Sequence, residues 1–236
     1  MAIVTDHAWR PLTACGDVRV LKYSWGPANA NALAIRLRPG GWLVVSPPLV
    51  APPGVHEELA ADGGVHALLA PNAYHYLGQA AWRQRFPTAS SWAPSGALDR
   101  IAKKTNGARF GHAEDLAREL PANIALIFPE GQKSPDTLLR ITSQTGDVVW
   151  WLGDLFSNTT PADQIWPLRL LSRLAGSGPG FRRNARPELV YVQHRGAWLS
   201  SIRSAITAHP PSVVVPAHGD PIQADAAART AAIVDD

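Results

Sequence analysis

The chain has 236 residues, of which 46% are hydrophobic, and its 22 Lys and Arg against 19 Asp and Glu give a formal net charge of +3. This composition is too apolar for a disordered chain, and no apolar stretch approaches the roughly 20 residues that cross a bilayer. The single cysteine, Cys15, excludes an internal disulfide and a thiolate zinc site. Because the first residues lack a secretory pattern, we expect one cytoplasmic domain over residues 1–236, in a bacterial-type protein.

The basic character of the chain does not indicate a nucleic-acid partner. The pI is about 9.3, but the only local cluster of cations is Arg182, Arg183 and Arg186 around Phe181. Nucleic-acid binding needs several phosphate contacts from one face, which one three-arginine loop does not supply. We interpret this segment as a solvated loop, with a clamp for an anionic substrate group as the alternative.

Strand and helix patterns alternate along the chain without a long linker or a repeat, which predicts one α/β domain. Strands are predicted over 31–38, 42–46, 65–69, 124–128, 137–142, 148–152 and 212–215. Helices are predicted over 56–62, 79–86, 161–174, 196–207 and 224–233, the third capped by Thr160. The alternation over 31–38 indicates a half-buried strand, and residues 39–41 make a hairpin turn to the next strand.

Polar side chains follow apolar strands at four places, where a rigid strand end can hold a side chain beside a ligand. These are Asn72 to His75, Gln132 to Ser134, Asp154 and His218. Taken singly, a strand-terminal Asp often caps a turn, and a His beside Gly often bonds a carbonyl group. The four positions together predict a functional cluster.

Two of these segments carry a family resemblance. Gly153-Asp-Leu-Phe and Pro216-Ala-His-Gly-Asp-Pro resemble the strand-end Asp and the last metal-binding His of the metallo-β-lactamase superfamily. The resemblance spans roughly residues 29 to 230. Within the superfamily, the chain resembles an uncharacterised branch with a divergent metal site. It implies an α/β fold, a four-layer αβ/βα sandwich of two mixed β-sheets flanked by helices, with its site along one sheet edge.

The same resemblance implies a metal loop that this chain has altered. Where the family has His-x-His-x-Asp-His, Asn72, Tyr74 and Tyr76 fall on ligand positions and His75 lies between them, although a one-residue shift would make His75 a ligand. Gln132 corresponds to the middle His, and Ser46 replaces a bracing acidic residue. Amides and un-ionised Tyr are poor zinc ligands, so a two-metal site is not expected.

Two functions stay open at this point. One is a metallo-β-lactamase-fold pseudoenzyme with a degenerate metal site, whose dinuclear hydrolase activity is lost and whose cleft binds a small molecule. The other is a mononuclear hydrolase in which His75, Asp154 and His218 hold one zinc, iron or manganese ion. The cleft is expected to be lined by Asn72, Tyr74, Tyr76, Gln132, Ser134 and Ser46. A metal-independent enzyme using Ser134 or Lys133 has little support, since no base stands at fixed spacing. Either a monomer or a homodimer fits the composition.

Overall fold

The fold was obtained as a computed structural model, which describes residues 5–37, 40–174 and 178–235. Strands β1 to β14 are Arg10–Pro11, Val18–Trp25, Ala28–Arg36, Trp42–Val45, Val65–Leu69, Ser90–Ala93, Gly111–His112, Ile124–Ile127, Leu138–Thr142, Val148–Trp151, Phe156–Thr159, Gly180–Arg183, Val213–Val215 and His218–Gly219. Helices α1 to α8 are Val55–Ala61, Gln79–Arg85, Leu98–Lys104, Ala113–Glu119, Trp166–Leu174, Ala185–Tyr191, Arg195–Ala208 and Ala226–Asp235. Short 3-10 turns cover Ser95–Ala97 and Pro161–Asp163.

The strands form two large mixed sheets and one small sheet. The first sheet runs β1-β2-β3-β4-β5-β6-β7, antiparallel up to β4 and parallel from β4 to β7. The second runs β13-β10-β9-β8, with β13 parallel to β10 and the other pairs antiparallel. The third sheet, β12-β11-β14, was not expected from the sequence. In this sheet β11, which follows Asp154, is paired with β14, which begins at His218.

Three apolar clusters show the order of the layers. One cluster joins the facing sides of the two large sheets, for example Leu33 and Val45 from the first with Trp151 and Val215 from the second. The opposite side of the first sheet packs against α1 and α2, and the opposite side of the second packs against α7 and α8. The helix–sheet–sheet–helix sandwich predicted from the sequence is therefore confirmed.

Two local predictions were wrong. Strand β3 is buried on both faces, because Ala30, Ala32 and Ala34 lie against the α1 and α2 layer while Leu33 and Ile35 face the central core. Its alternation is one of large and small side chains, whereas a half-buried strand alternates apolar with polar ones.

The helix predicted after Thr160 is interrupted. Thr160 and Asp163 form the expected capping box, but the 3-10 turn ends at Asp163. Gln164 then forms a bridge with Ala28, and the Ile165 N–H donates to the carbonyl of Pro27, before α5 begins. Pairing with the start of β3 thus replaces the helical bonds at this point.

The topology gathers four strand ends at one edge. Strand β4 is parallel to β5, and β10 is parallel to β13, so the carboxyl ends within each pair lie side by side. The residues just beyond these ends include Ser46, Asn72, Asp154 and His218. Among the described residues, no helix has both the length and the apolarity needed to span a membrane.

Candidate metal centre

Three of the predicted ligand side chains meet at this edge. His75 Nε2 lies 2.8 Å from Asp154 Oδ1, and His218 Nε2 lies 3.3 Å from the same oxygen. One ligating atom from each residue falls within 4.8 Å of the other two. Within the described ranges, this is the single group of three or more His, Cys, Asp or Glu with such convergence. The structure thus brings His75, Asp154 and His218 together in one cluster.

His218 is held in one orientation by the backbone. Its Nδ1 lies 2.7 Å from the carbonyl oxygen of Asn29, and the turn around it is clamped by the Asn31 amide, which donates to the carbonyls of Pro216 (2.8 Å) and Gly219 (2.7 Å). Such second contacts fix the tautomer and direction of a ligating imidazole.

This orientation places two acceptors against each other. A carbonyl only accepts, so His218 Nδ1 must carry the hydrogen, and the Nε2 of the neutral ring presents a lone pair to Asp154 Oδ1. Burial lowers the pKa of His218, but its hydrogen bond to Asp154 and the negative charge there raise it above its usual value. A cation, either a proton or a metal ion, is therefore required between these two atoms.

The contacts of the His75 ring are compatible with either a proton or a metal ion at Asp154. The Asn72 side-chain oxygen accepts from the backbone N–H groups of Tyr74 (2.9 Å) and His75 (3.2 Å), and this turn directs the His75 ring toward Asp154. Its Nδ1 lies 2.6 Å from Ser46 Oγ, which lies 3.0 Å from the Tyr23 hydroxyl. Because hydroxyls both donate and accept, this pair can serve either tautomer of His75.

Asp154 has one oxygen committed to the protein and one directed at the histidines. Its Oδ2 accepts from Asn72 Nδ2 (3.0 Å) and from the Tyr191 hydroxyl (2.9 Å). Burial, followed by the charge of Asp154, raises the pKa of Tyr191, so its phenol stays protonated and donates. Burial alone would raise the pKa of Asp154, but His75 and His218 outweigh it and hold that pKa well below the usual value of 3.8.

A second carboxyl group, Asp136, supports the first from behind. It is fully buried and accepts from Asn72 Nδ2 (2.9 Å) at one oxygen and from the backbone N–H groups of Asp154 (2.8 Å) and Leu155 (3.3 Å) at the other. Burial and the charge of Asp154 raise the pKa of Asp136 to about 8, against the opposing effect of these donors. Asp136 thereby fixes both Asn72 and the strand end that carries Asp154.

Gly153 makes this close approach possible, and its replacement by alanine gives a testable effect. The residue has φ +64°, and an added Cβ would run into the Asp136 carboxylate. We expect Gly153→Ala to lower the free energy of unfolding by about 3 kcal/mol, from backbone strain plus overpacking. Urea denaturation measures this change.

Gly146 provides the matched control. It also has positive φ, at +87°, but an added Cβ would meet nothing within 4 Å. Gly146→Ala should therefore cost only the backbone contribution, about 1 kcal/mol. Equal losses in the two variants would contradict the tight packing of Asp136 against Gly153.

The other residues predicted to line the cleft are distributed around the cluster. Tyr74 lies at the cavity wall with its ring 5.8 Å from that of Tyr191, whereas Tyr76 packs on an apolar cluster that includes Ala73. Gln132 bonds the backbone N–H (3.1 Å) and carbonyl (3.3 Å) of Asp136. The Ser134 backbone N–H donates to the Tyr191 carbonyl at 3.2 Å.

The arginine segment does not contribute to the described lining of the cavity at the triad. Arg182 and Arg183 are on β12, and the Arg182 guanidinium donates to the Pro179 carbonyl at 2.7 Å. Neither lines the cavity that reaches the triad, and the side chain of Arg186 lies outside the described residues. The substrate-anion clamp stays a sequence prediction without support from this placement.

The triad lies at a cavity of about 1000 Å³. Its described lining is mostly apolar and aromatic, with the polar groups of His75, Asp154 and His218 at one part of the wall. A large apolar cavity with a few convergent polar groups is the usual form of a ligand site.

Comparison with known proteins identifies the architecture. No protein-family model matches the sequence, and no curated protein matches it significantly. Solved structures do match: a metallo-β-lactamase from Pontibacter korlensis has a TM-score of 0.60 at 11% identity, covering 99% of this chain and 100% of that one. Those from Hirschia baltica (TM-score 0.57, 14% identity, coverage 99% and 98%) and Erythrobacter litoralis (TM-score 0.58, 14% identity, coverage 96% and 95%) agree. The chain has the metallo-β-lactamase fold.

The donor set of this metallo-β-lactamase fold is compatible with a metal ion. Two imidazole nitrogens and one carboxylate oxygen are common ligands of zinc, iron and manganese, and each has a second contact that orients it. The residues present therefore fit a divalent metal ion.

Several supporting residues had no signal in the sequence. Tyr191 is the last residue of α6, a helix that the pattern did not predict, and Asn184, whose amide donates to the Asp154 carbonyl at 2.7 Å, is the N-cap of the same helix. Asp136 lies in a Ser-Pro-Asp-Thr segment that reads equally well as a turn.

Proposed function

We propose that the chain is a mononuclear metal-dependent hydrolase, with one divalent ion held by His75 Nε2, His218 Nε2 and Asp154 Oδ1. The observation that carries this proposal is the convergence of three ligating atoms within 4.8 Å of one another, with His218 Nδ1 committed to the Asn29 carbonyl so that its Nε2 faces the Asp154 carboxylate at 3.3 Å. Zinc, iron and manganese all accept two imidazoles and one carboxylate with positions left open.

The surrounding residues support a preorganised site. A bound ion would supply a Lewis acid able to polarise a substrate carbonyl group. Asn72 and Tyr191 hold Asp154 Oδ2, which leaves Oδ1 as the ligating oxygen. The three donors lie on the cavity wall, so a substrate in the cavity can approach the open positions. Hydrolysis of an ester there would break the acyl C–O bond and consume one water, giving an acid and an alcohol.

The same contacts argue against a second ion. Asn72 donates its amide hydrogens to Asp154 and Asp136, Gln132 pairs with the backbone of Asp136, and Tyr76 lies among apolar groups. None of these arrangements presents a lone-pair donor toward the triad. We therefore propose that dinuclear activity of the metallo-β-lactamase type is lost in this chain.

Metal-dependent hydrolysis tests the proposal. We expect chelator-treated protein to show only background turnover across a panel of aryl esters, lactones and thioesters. Addition of zinc, manganese or ferrous iron should raise hydrolysis of at least one class by about tenfold or more. Asp154→Asn should abolish the gain, because the amide binds a cation far less well than a carboxylate does.

Asp99→Asn, an exposed substitution in the first turn of α3, is the control and should retain the gain. Circular dichroism of both variants separates misfolding from loss of the site. Hydrolysis that resists both chelation and Asp154→Asn would contradict the metal site. A metal-loaded protein inactive on every class would contradict the hydrolase and favour a ligand-binding pseudoenzyme.

A further inference from the structure

The cavity beside the triad is lined largely by apolar residues, and several of them are exposed to solvent. Its apolar lining residues are Pro27, Pro47, Leu49, Val50, Ala51, Pro52, Pro53, Leu77, Pro187 and Val190. The four Leu and Val residues among them are all well exposed, namely Val50 (77%), Leu49 (56%), Val190 (48%) and Leu77 (43%). We call these four residues the apolar rim. They give the cavity aliphatic groups that are exposed to water, which is unfavourable unless a ligand or partner covers them.

We infer that the cavity takes an uncharged ligand with a long aliphatic chain, whose carbonyl end lies at the triad and whose chain lies along the apolar wall and rim. This inference names the substrate class of the proposed hydrolase, and as a substrate assignment it rests on that function. Binding of such a molecule does not depend on hydrolase activity, because protein residues form the cavity wall without the ion.

The charges around the cavity favour a neutral ligand. The described lining contains no Lys or Arg, and its one carboxylate, Asp154, is turned toward the histidines. Arg182 and Arg183, the nearest candidates for an anion clamp in the sequence, do not contribute to the lining. Among the described lining residues, an anionic head group would find no cationic side chain beyond the two histidines, whereas a carbonyl needs only the triad and neighbouring hydroxyls.

The shape of the cavity favours a small molecule over a second copy of this chain. A volume of about 1000 Å³ is at the upper end of the range for small-ligand pockets. A protein surface could cover the apolar rim but would leave the depth beside His75 and His218 unfilled. A chain that enters the cavity buries the rim and wall together and places its polar end where the polar groups are.

A chain-length series tests the inference in the absence of metal. Chelator-treated protein is titrated calorimetrically with hexanamide, octanamide and decanamide, which are neutral and resist hydrolysis. Each added methylene should tighten binding about threefold, as expected for apolar surface removed from water. Affinity that does not change with chain length would overturn the inference.

Two neighbouring residues of α6 give a matched pair of variants. Val190 lines the cavity, whereas Leu189 is 76% exposed and does not. Val190→Asp should weaken decanamide binding about tenfold, from the burial of a charge beside the chain. Leu189→Asp should leave it unchanged. Leu77→Asp, on a separate loop of the rim, repeats the test.

The outcomes separate this inference from the proposed function. Loss of metal-dependent hydrolysis with chain-length-dependent binding intact would overturn the hydrolase and leave the ligand class. Metal-dependent hydrolysis without chain-length-dependent binding would overturn the ligand class and leave the hydrolase in place. Equal weakening by Leu189→Asp and Val190→Asp would overturn the assignment of the chain to the cavity. A concentration-dependent dimer in sedimentation that Val190→Asp dissociates would assign the rim to a second copy instead.

Discussion

Replacement of either triad histidine by alanine is expected to weaken binding of one divalent ion about a thousandfold. Loss of an orienting partner alone typically costs ten- to a hundredfold in metal affinity, and loss of a ligand costs more. His75→Ala and His218→Ala each leave two protein ligands and open a space beside Asp154. The effect should be similar for both, because their Nε2 atoms lie at comparable distances from Asp154 Oδ1, 2.8 Å and 3.3 Å.

Competition with a chromophoric chelator measures these affinities for zinc and manganese. His66→Ala and His112→Ala are the controls, because His66 is exposed on β5 and His112 bonds Ser95 away from the triad. Both should bind the ion like the parent protein. Undiminished binding by His75→Ala, beside a large loss in His218→Ala, would remove His75 from the ligand set and contradict the site as described.

At about pH 9, above the pKa of about 8 so that the Asp136 carboxyl group is ionised, its replacement by asparagine should lower the free energy of unfolding by about 3 kcal/mol, the cost of leaving a buried donor unpaired. The carboxylate accepts from Asn72 at one oxygen and from two backbone N–H groups at the other. An amide has one acceptor oxygen, so its NH₂ must face at least one of these donors. Relief of the repulsion with Asp154 offsets only part of this cost. Because Asn72 also orients Asp154, metal affinity should fall in the same variant.

Asp147→Asn is the control for this substitution. Asp147 also accepts side-chain hydrogen bonds, from the hydroxyls of Thr145 (2.6 Å) and Ser143 (3.4 Å), but it lies in a solvent-accessible hairpin turn. Water can replace those bonds, so we expect a loss below about 1 kcal/mol. Denaturant unfolding of the two variants decides the comparison. Equal stability of Asp136→Asn and Asp147→Asn would show that Asp136 does not organise the strand end.

The layers of the fold followed from local pattern, whereas some element limits did not. Strand β5 was predicted with its observed limits, because a short apolar run between Gly64 and Pro71 has few alternatives. The break before α5 depends on pairing between Gln164 and Ala28, which are distant in sequence. The burial of both faces of β3 likewise depends on helices that come later in the chain. Such tertiary contacts leave no local mark.

The site divides in the same way. Asp154 and His218 follow apolar strands, and that position together with the family resemblance of their segments singled them out. His75 depended on a one-residue register, which the Asn72 turn decides by bonding the backbone of Tyr74 and His75. Tyr191 reaches Asp154 across 37 positions of sequence, from a helix with no clear amphipathic pattern. Polar partners from separate elements become visible only when the sheets are assembled.

Elemental analysis of the full chain, purified without chelator and then incubated with zinc, iron or manganese, counts the ions that the triad holds. We expect about one tightly bound divalent ion per chain, lost in His218→Ala and in Asp154→Asn. Two stoichiometric ions per chain, or no ion above the level of the His218→Ala variant, would contradict it.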